Sequence, residues 1–362
     1  MTEDLSEPYT PAGPAGQVAG APPSAAADPA PGAAAPAPGG RAQGMRQRLT
    51  SITGIGPLLI ALVLICLFLT LTTDSFLTAS NLTNIIVQTS VVGIAAVGGT
   101  LVIITSGIDL SVGSNVALSG MVAAYAMENH LVPGGLGGVA VALLVGVLVG
   151  SFNGASTTLL RLTPFIATLA TLAMARGLTQ QVSQGQTIFG FPASYTFLGN
   201  GSIAGIQAPV VVTVVVFLIG HVLLTRTSFG HQVYALGGNR EAARLAGISV
   251  RRVEFAVYAL AGLCAGLAAV VLTGRLDSAL ASGATGLELQ VIAAVVIGGT
   301  SLFGGRGSLA GTFLGVVLIG VIVNGLTLLN VNPFWQQFIQ GAVIFVAVLL
   351  DALNTRRLQK SR

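Results

Sequence analysis

From about residue 54 to residue 351 the chain alternates long apolar runs with short polar joints. The runs lie at about 55–73, 84–106, 109–127, 136–159, 163–182, 209–225, 253–273, 287–304, 307–329 and 334–351. Each approaches the roughly 20 residues that an α-helix needs to cross a hydrocarbon core of about 30 Å. The pattern predicts an all-α, polytopic transmembrane bundle of about ten spans. Two joints are tight, Gly107-Ile108-Asp109 and Gly304-Gly305-Arg306-Gly307. Glycine supplies the left-handed backbone that ends a helix, and Asp109 is expected to cap the helix that follows. Two polar stretches are longer, 183–208 and 226–252.

Composition agrees with the pattern. Of 362 residues 53% are hydrophobic and only 8% charged, whereas a soluble domain carries about 25% charged residues. The net charge of +4 is no nucleic-acid footprint, because the basic residues are spread through loops instead of clustering on one face. Their placement sets an orientation. Arg41, Arg46 and Arg48 precede the first run, which predicts a cytoplasmic N-terminus. Alternation then places every basic residue except Arg176 and Arg275 on that same side, including the tail residues Arg356, Arg357, Lys360 and Arg362. Both termini are therefore expected in the cytoplasm.

Three regions follow. Residues 1–50 form an Ala/Pro-rich cytoplasmic tail, expected to be disordered because it holds too little apolar surface to offset ordering entropy. It lacks the charged start and apolar core of a secretory signal. Residues 51–353 form the transmembrane domain, and 354–362 a basic cytoplasmic tail. Glycines recur at four-residue spacing, as Gly146, Gly150 and Gly154, as Gly262 and Gly266, and as Gly311 and Gly315. Small residues let helix backbones approach closely in lipid, either for packing alone or in a domain that changes shape. A weak internal echo pairs IAAVGGT (94–100) with IAAVVIGGT (292–300), each before a tight turn.

Polar residues inside apolar runs are costly, about 2.5–3.5 kcal/mol for a mid-bilayer charge on insertion scales. Those present are candidates for lining a translocation path. Asp109 reads as a helix cap or a gate, with Ser111, Ser114 and Asn115 following it. Arg176 reads as a snorkelling side chain or a group facing an outer vestibule. Glu288 and Asn324 join the list, since amide, carboxylate and guanidinium groups satisfy sugar hydroxyls. Trp335 reads as an interface anchor. Catalytic machinery is not in evidence. The one lysine, Lys360, excludes a phosphate loop, and neither Gly-x-Ser-x-Gly nor His-Glu-x-x-His occurs. Cys66 and Cys264 lie inside apolar runs, and His130, His221 and His231 show no ligand spacing, so no metal site is expected. The chain is not read as an enzyme.

The run RTSFGHQVYALGGNREAARLAGISVRR (226–252) is a basic polar island between two apolar runs. A short helix around Glu241-Ala242-Ala243, ended by Gly247, suits docking of a soluble partner at the cytoplasmic face. A self-sufficient ion-coupled carrier or channel is the competing reading, although no run carries the several charges such carriers often show.

Four stretches, GIDLSVGS (107–114), TPFIATLATLAMARGLT (163–179), YALGGNREAARLAGI (234–248) and IAAVVIGGTSLFGGRGSLAGT (292–312), occur in one order across the chain. In them the region from about residue 50 to the end resembles the permease subunits of bacterial ATP-binding-cassette importers for ribose and related monosaccharides. The resemblance implies a second permease copy, as a homodimer, enclosing one path in the cell membrane. It implies a cytoplasmic ATPase that binds the ATP, an extracytoplasmic sugar-binding protein, lipid around the bundle, and no nucleic acid or cofactor of the chain's own. Gly237, Gly238, Asn239, Glu241, Ala242, Ala243 and Gly247 would form the ATPase-coupling segment. Two departures stand out. The family often reads Gly-Tyr-Glu-Leu-Asp where this chain has Gly286-Leu287-Glu288-Leu289-Gln290, and the Pro/Ala tail is not a common family feature.

Overall fold

A computed structural model describes the backbone of residues 40–360 and the side chains of residues 56–349, 351 and 352. The chain divides into two units, residues 1–47 and 48–362. The first 39 residues of the expected disordered tail lie outside the described region. Residues 40–50 are helical where disorder is expected, and no proline interrupts them.

The elements in order are α1 (Gly40–Thr72), α2 (Ala79–Ile104), α3 (Val112–Glu128), α4 (Gly134–Thr158), α5 (Pro164–Ser183), β1 (Ile188–Phe189), α6 (Ala193–Asn200), β2 (Ser202–Ile203), β3 (Ile206–Gln207), α7 (Ala208–Arg226), α8 (Ser228–Gly238), α9 (Arg240–Leu245), α10 (Val250–Leu276), β4 (Ser278–Ala279), α11 (Leu287–Ile297), α12 (Leu309–Leu328) and α13 (Pro333–Lys360). A helix lies on each predicted apolar run: α1 to α5, α7, and α10 to α13. Five of them, α2, α4, α7, α10 and α12, are long and apolar enough to cross a membrane unaided.

The differences from the sequence pattern are local. α11 ends at Ile297, not at residue 304, and rises only about 16 Å at 1.5 Å per residue. The expected run continues past it through Gly298-Gly299-Thr300-Ser301 to Leu302 and Phe303, but left-handed backbone at Gly299, Gly304 and Gly305 folds Gly298–Ser308 into a compact turn. Apolarity alone does not mark that end. The island 226–252 is largely helical, with α8 and α9 leading into α10. The stretch 183–208 carries α6 and strands, so the all-α expectation needs a small amendment. β1 pairs antiparallel with β4 (Ile188 opposite Ala279), and β2 with β3 (Ser202 opposite Gln207).

Packing repeats across the bundle. α3 packs on α4, α5 and α10, while α11 packs on α12, α13 and α2. α2 and α10 cross at the centre, where a side chain on Gly98 would meet the Ala261 backbone at 2.6 Å. The glycine stripes find one another. Gly146 and Gly150 of α4 lie backbone to backbone against Gly262 and Gly266 of α10, and Gly311 and Gly315 of α12 against Gly298 and Ala294. Such approach is what holds helices together in lipid. The buried core includes Ile94, Leu101, Ile104, Val116, Val257 and Tyr258. Ile60, Val63 and Leu71 of α1, Leu144 and Leu148 of α4, and Leu218 and Ile219 of α7 remain exposed. An apolar surface on that scale fits a lipid solvent.

Candidate functional site

One end of the bundle carries α8 and α9. Asn239 caps α9, its Oδ1 accepting from the Ala242 N–H at 2.9 Å, and Gly247 closes it with φ of 83°. The cap explains why a six-residue helix forms here. Ala243 is the inward side of α9, while Gly238, Asn239, Glu241, Ala242 and Gly247 face outward. Glu241 pairs with Arg244 at 2.6 Å on the exposed face and raises the Arg244 guanidinium above its usual value. Gly237 behaves differently from the rest of the expected coupling segment. A side chain there would overlap the Ile104 carbonyl, so Gly237 faces the bundle.

Two features at this end carry no motif in the sequence. Leu245 is 78% exposed beside Ala242 and Ala246, an apolar knob on an otherwise polar segment. Arg240 forms an ion pair at 2.5 Å with Glu254 of α10, whose side chain is only 7% exposed. The pair ties α9 to the long helix α10. Glu254 sits at the head of an apolar run, and that position is the only signal for it.

Asp109, Ser111 and Asn115 come together, but not as a simple cap. Asp109 Oδ1 accepts from the Ser111 N–H at 2.8 Å and from the Ser111 hydroxyl at 2.6 Å. Ser111 is thereby fixed as the residue preceding α3, and Asp109 acts through it, which corrects the expectation that Asp109 itself caps the helix. Asn153 of α4 donates to Ser111 Oγ at 2.8 Å, Asn115 Nδ2 donates to Gly146 O at 3.2 Å, and Ser119 donates to Asn115 Oδ1 at 3.1 Å. All of these side chains are buried. Asn153 Oδ1 and the Tyr258 hydroxyl have no partner among the described residues. Asn153 is legible only as a lone amide inside an apolar helix, and Tyr258 not at all.

Arg176 and Glu288 form a second group. Arg176 is part-buried, and its Nη1 donates to Gly283 O at 2.8 Å and Ala281 O at 3.3 Å, anchoring the segment that leads into α11. Glu288 lies in the first turn of α11, with Oε2 buried and unpartnered. A Cβ on Gly113, in the first turn of α3, would strike that oxygen and come within 2.6 Å of Ala284 O. The N-termini of α3 and α11 therefore meet. Both helices are short, α3 rising about 25 Å and α11 about 16 Å. Discontinuous helices whose N-termini face a shared centre are a recurrent way to build a solute site inside a membrane protein. Asn324 makes no hydrogen bond to these residues. It exchanges amide hydrogen bonds with Asn81 of α2 at 2.8 and 3.1 Å.

Comparison with known proteins adds independent weight. Residues 81–348 match the family model described as branched-chain amino acid transport system / permease component. The Ribose import permease protein RbsC of Bacillus subtilis (strain 168) is 43% identical over 303 residues, covering 82% of this chain and 92% of the relative. The D-allose transport system permease protein AlsC of Escherichia coli (strain K12) is 40% identical, covering 83% and 92%. The xylose transport system permease protein XylH of the same strain is 34% identical, covering 82% and 91%. No solved structure matches. A match that runs from α2 into α13, with five helices among the described residues long and apolar enough to cross a membrane, identifies a multi-pass inner-membrane protein that belongs to the transport-system permease family.

Proposed function

We propose that this chain is the permease subunit of an ATP-binding-cassette importer for a monosaccharide of the ribose type. The observation that carries the substrate class is the 34–43% identity, over four fifths of the chain, to permeases named for ribose, allose and xylose. Ten spans with both termini in the cytoplasm fit the ten of the thirteen described helices that lie on apolar runs and the placement of the arginines. The segment α8–α9 docks a separate ATPase through Gly238, Asn239, Glu241, Ala242, Leu245 and Gly247. A second copy of the chain, as a homodimer, completes the path, and an extracytoplasmic sugar-binding protein delivers the solute. The chain needs no cofactor, because the ATPase binds the ATP. Asp109, Ser111 and Asn115, with Arg176 and Glu288, are the proposed polar lining; the Asn81–Asn324 pairing supports a packing role for Asn324.

The buried carboxylate of Asp109 and the buried Oε2 of Glu288 also suit an ion-coupled carrier. Flux separates the two. Vesicles holding the chain alone should not accumulate labelled ribose under a proton or sodium gradient, and vesicles holding chain, ATPase and binding protein should do so with ATP. Gradient-driven accumulation by the chain alone would refute the importer reading.

A further inference from the structure

We infer that the last turn of α8 is a three-way junction that carries movement of the docking end to both short helices, α3 and α11, together. The inference rests on the proposed ATPase-driven reading.

Gly237 sits where three stretches of backbone meet. A Cβ there would overlap the Ile104 carbonyl and lie 2.6 Å from the Gly305 nitrogen. The Gly305 N–H itself donates to Ile104 O at 2.9 Å, joining the turn after α2 to the turn before α12. The Ser106 hydroxyl donates to Phe303 O at 3.0 Å and reaches Gly237 O at 3.5 Å. On α8 the Tyr234 hydroxyl donates to Gly307 O at 2.9 Å, and burial pushes that phenol above its usual range. A Cβ on Gly305 would lie 2.8 Å from Gly238 Cα. Backbone thus touches backbone, with no side chain between to absorb a displacement. Close-packed contacts of this kind switch between arrangements instead of deforming smoothly.

The two turns lead to the two short helices. Ile104–Gly107 continues through Asp109 and Ser111 into α3, and Phe303–Gly307 follows α11 by way of Gly298. Those are the helices whose N-termini meet at Gly113 and Glu288. The Arg240–Glu254 pair holds α9 to α10, so the docking end does not slide away from the junction on its own. A push on α8 therefore reaches both turns at one point.

The test uses Tyr234→Phe, Ser106→Ala and the double variant, co-expressed with the ATPase subunit and reconstituted with the binding protein. Each change removes one hydroxyl and leaves the backbone in place. ATPase affinity, ATP hydrolysis and labelled ribose uptake are measured separately. Affinity should hold and hydrolysis continue, while uptake per ATP falls by about tenfold in the double variant. Unchanged uptake per ATP would overturn the junction, as would uptake and hydrolysis falling in parallel, which is the mark of plain destabilisation. A wild-type chain that binds no ATPase would instead refute the importer reading. The junction is still decided in that case by amide exchange in the chain alone. Tyr234→Phe should speed exchange at the Gly305 amide, and no change there would overturn it.

Discussion

Removing Arg240 should be worse than removing its partner Glu254, although Arg240 is the more exposed of the two. The side chains are 57% and 7% exposed. Arg240→Ala leaves a buried carboxylate without its partner, a cost of about 1–3 kcal/mol that grows when the group is charged. Glu254→Gln leaves a guanidinium already half in water, and its loss is of the order of a surface pair, about 0–1 kcal/mol. The pair holds α9 against α10, so the cost should appear as local opening of α9. The reporters are the amides of Ala243, bonded to Asn239 O at 2.9 Å, and Ile248, bonded to Ala243 O at 3.0 Å. Hydrogen exchange at these amides should accelerate roughly 10- to 100-fold in Arg240→Ala, at about 1.4 kcal/mol per factor of ten, and by less than about fivefold in Glu254→Gln. In the double variant most of the Arg240→Ala effect should disappear, since no buried charge then remains. Equal effects from the two single changes, or a double variant as fast as Arg240→Ala, would refute the reasoning.

Leu245→Ser should weaken ATPase binding by roughly ten- to a hundredfold, because a fully buried leucine contributes about 1.5–3 kcal/mol; a pull-down titration reads it, and the isolated chain should be as stable as before since Leu245 covers nothing there. Gly238→Trp and Ala242→Trp should abolish uptake yet leave folding and membrane insertion intact, because both positions face outward and a Cβ on Gly238 meets nothing. Asn81→Ala should lower thermal stability by about 0.6–2 kcal/mol by orphaning the Asn324 amide, with the uptake rate per folded molecule unchanged. Gly113→Ala should remove uptake, since its methyl displaces Glu288 from the α3 terminus, while ATPase binding at α8–α9, which Gly113 does not touch, persists.

The helices are legible because each apolar run is long and bounded by glycine or a polar joint. Length is the part the runs conceal. Val295, Val296 and Ile297 are followed by Gly298, Gly299, Thr300 and Ser301, small uncharged residues that a long apolar run can absorb, and the left-handed backbone at Gly299 ends α11 where it ends. Within the candidate site, Asp109, Ser111 and Asn115 are legible as a unit because they share one stretch of chain. Asn153 and Tyr258 reach the same cluster from α4 and α10, through glycines that bring those backbones close, and no spacing announces it. The glycine stripes are visible in the sequence, but which stripe faces which is a property of the packed bundle. The role of Gly237 is hidden for the same reason: its neighbours in space, Ile104 and Gly305, are far from it in the chain.

Everything mechanistic above depends on α8–α9 facing the cytoplasm and being covered by the ATPase. Gly238→Cys, in a chain whose Cys66 and Cys264 are changed to alanine, tests both at once with a membrane-impermeant thiol reagent. Labelling in inside-out vesicles, none in right-side-out cells, and protection when the ATPase is bound is the result the account predicts. Labelling from outside the cell, or labelling untouched by a saturating amount of bound ATPase, would contradict it.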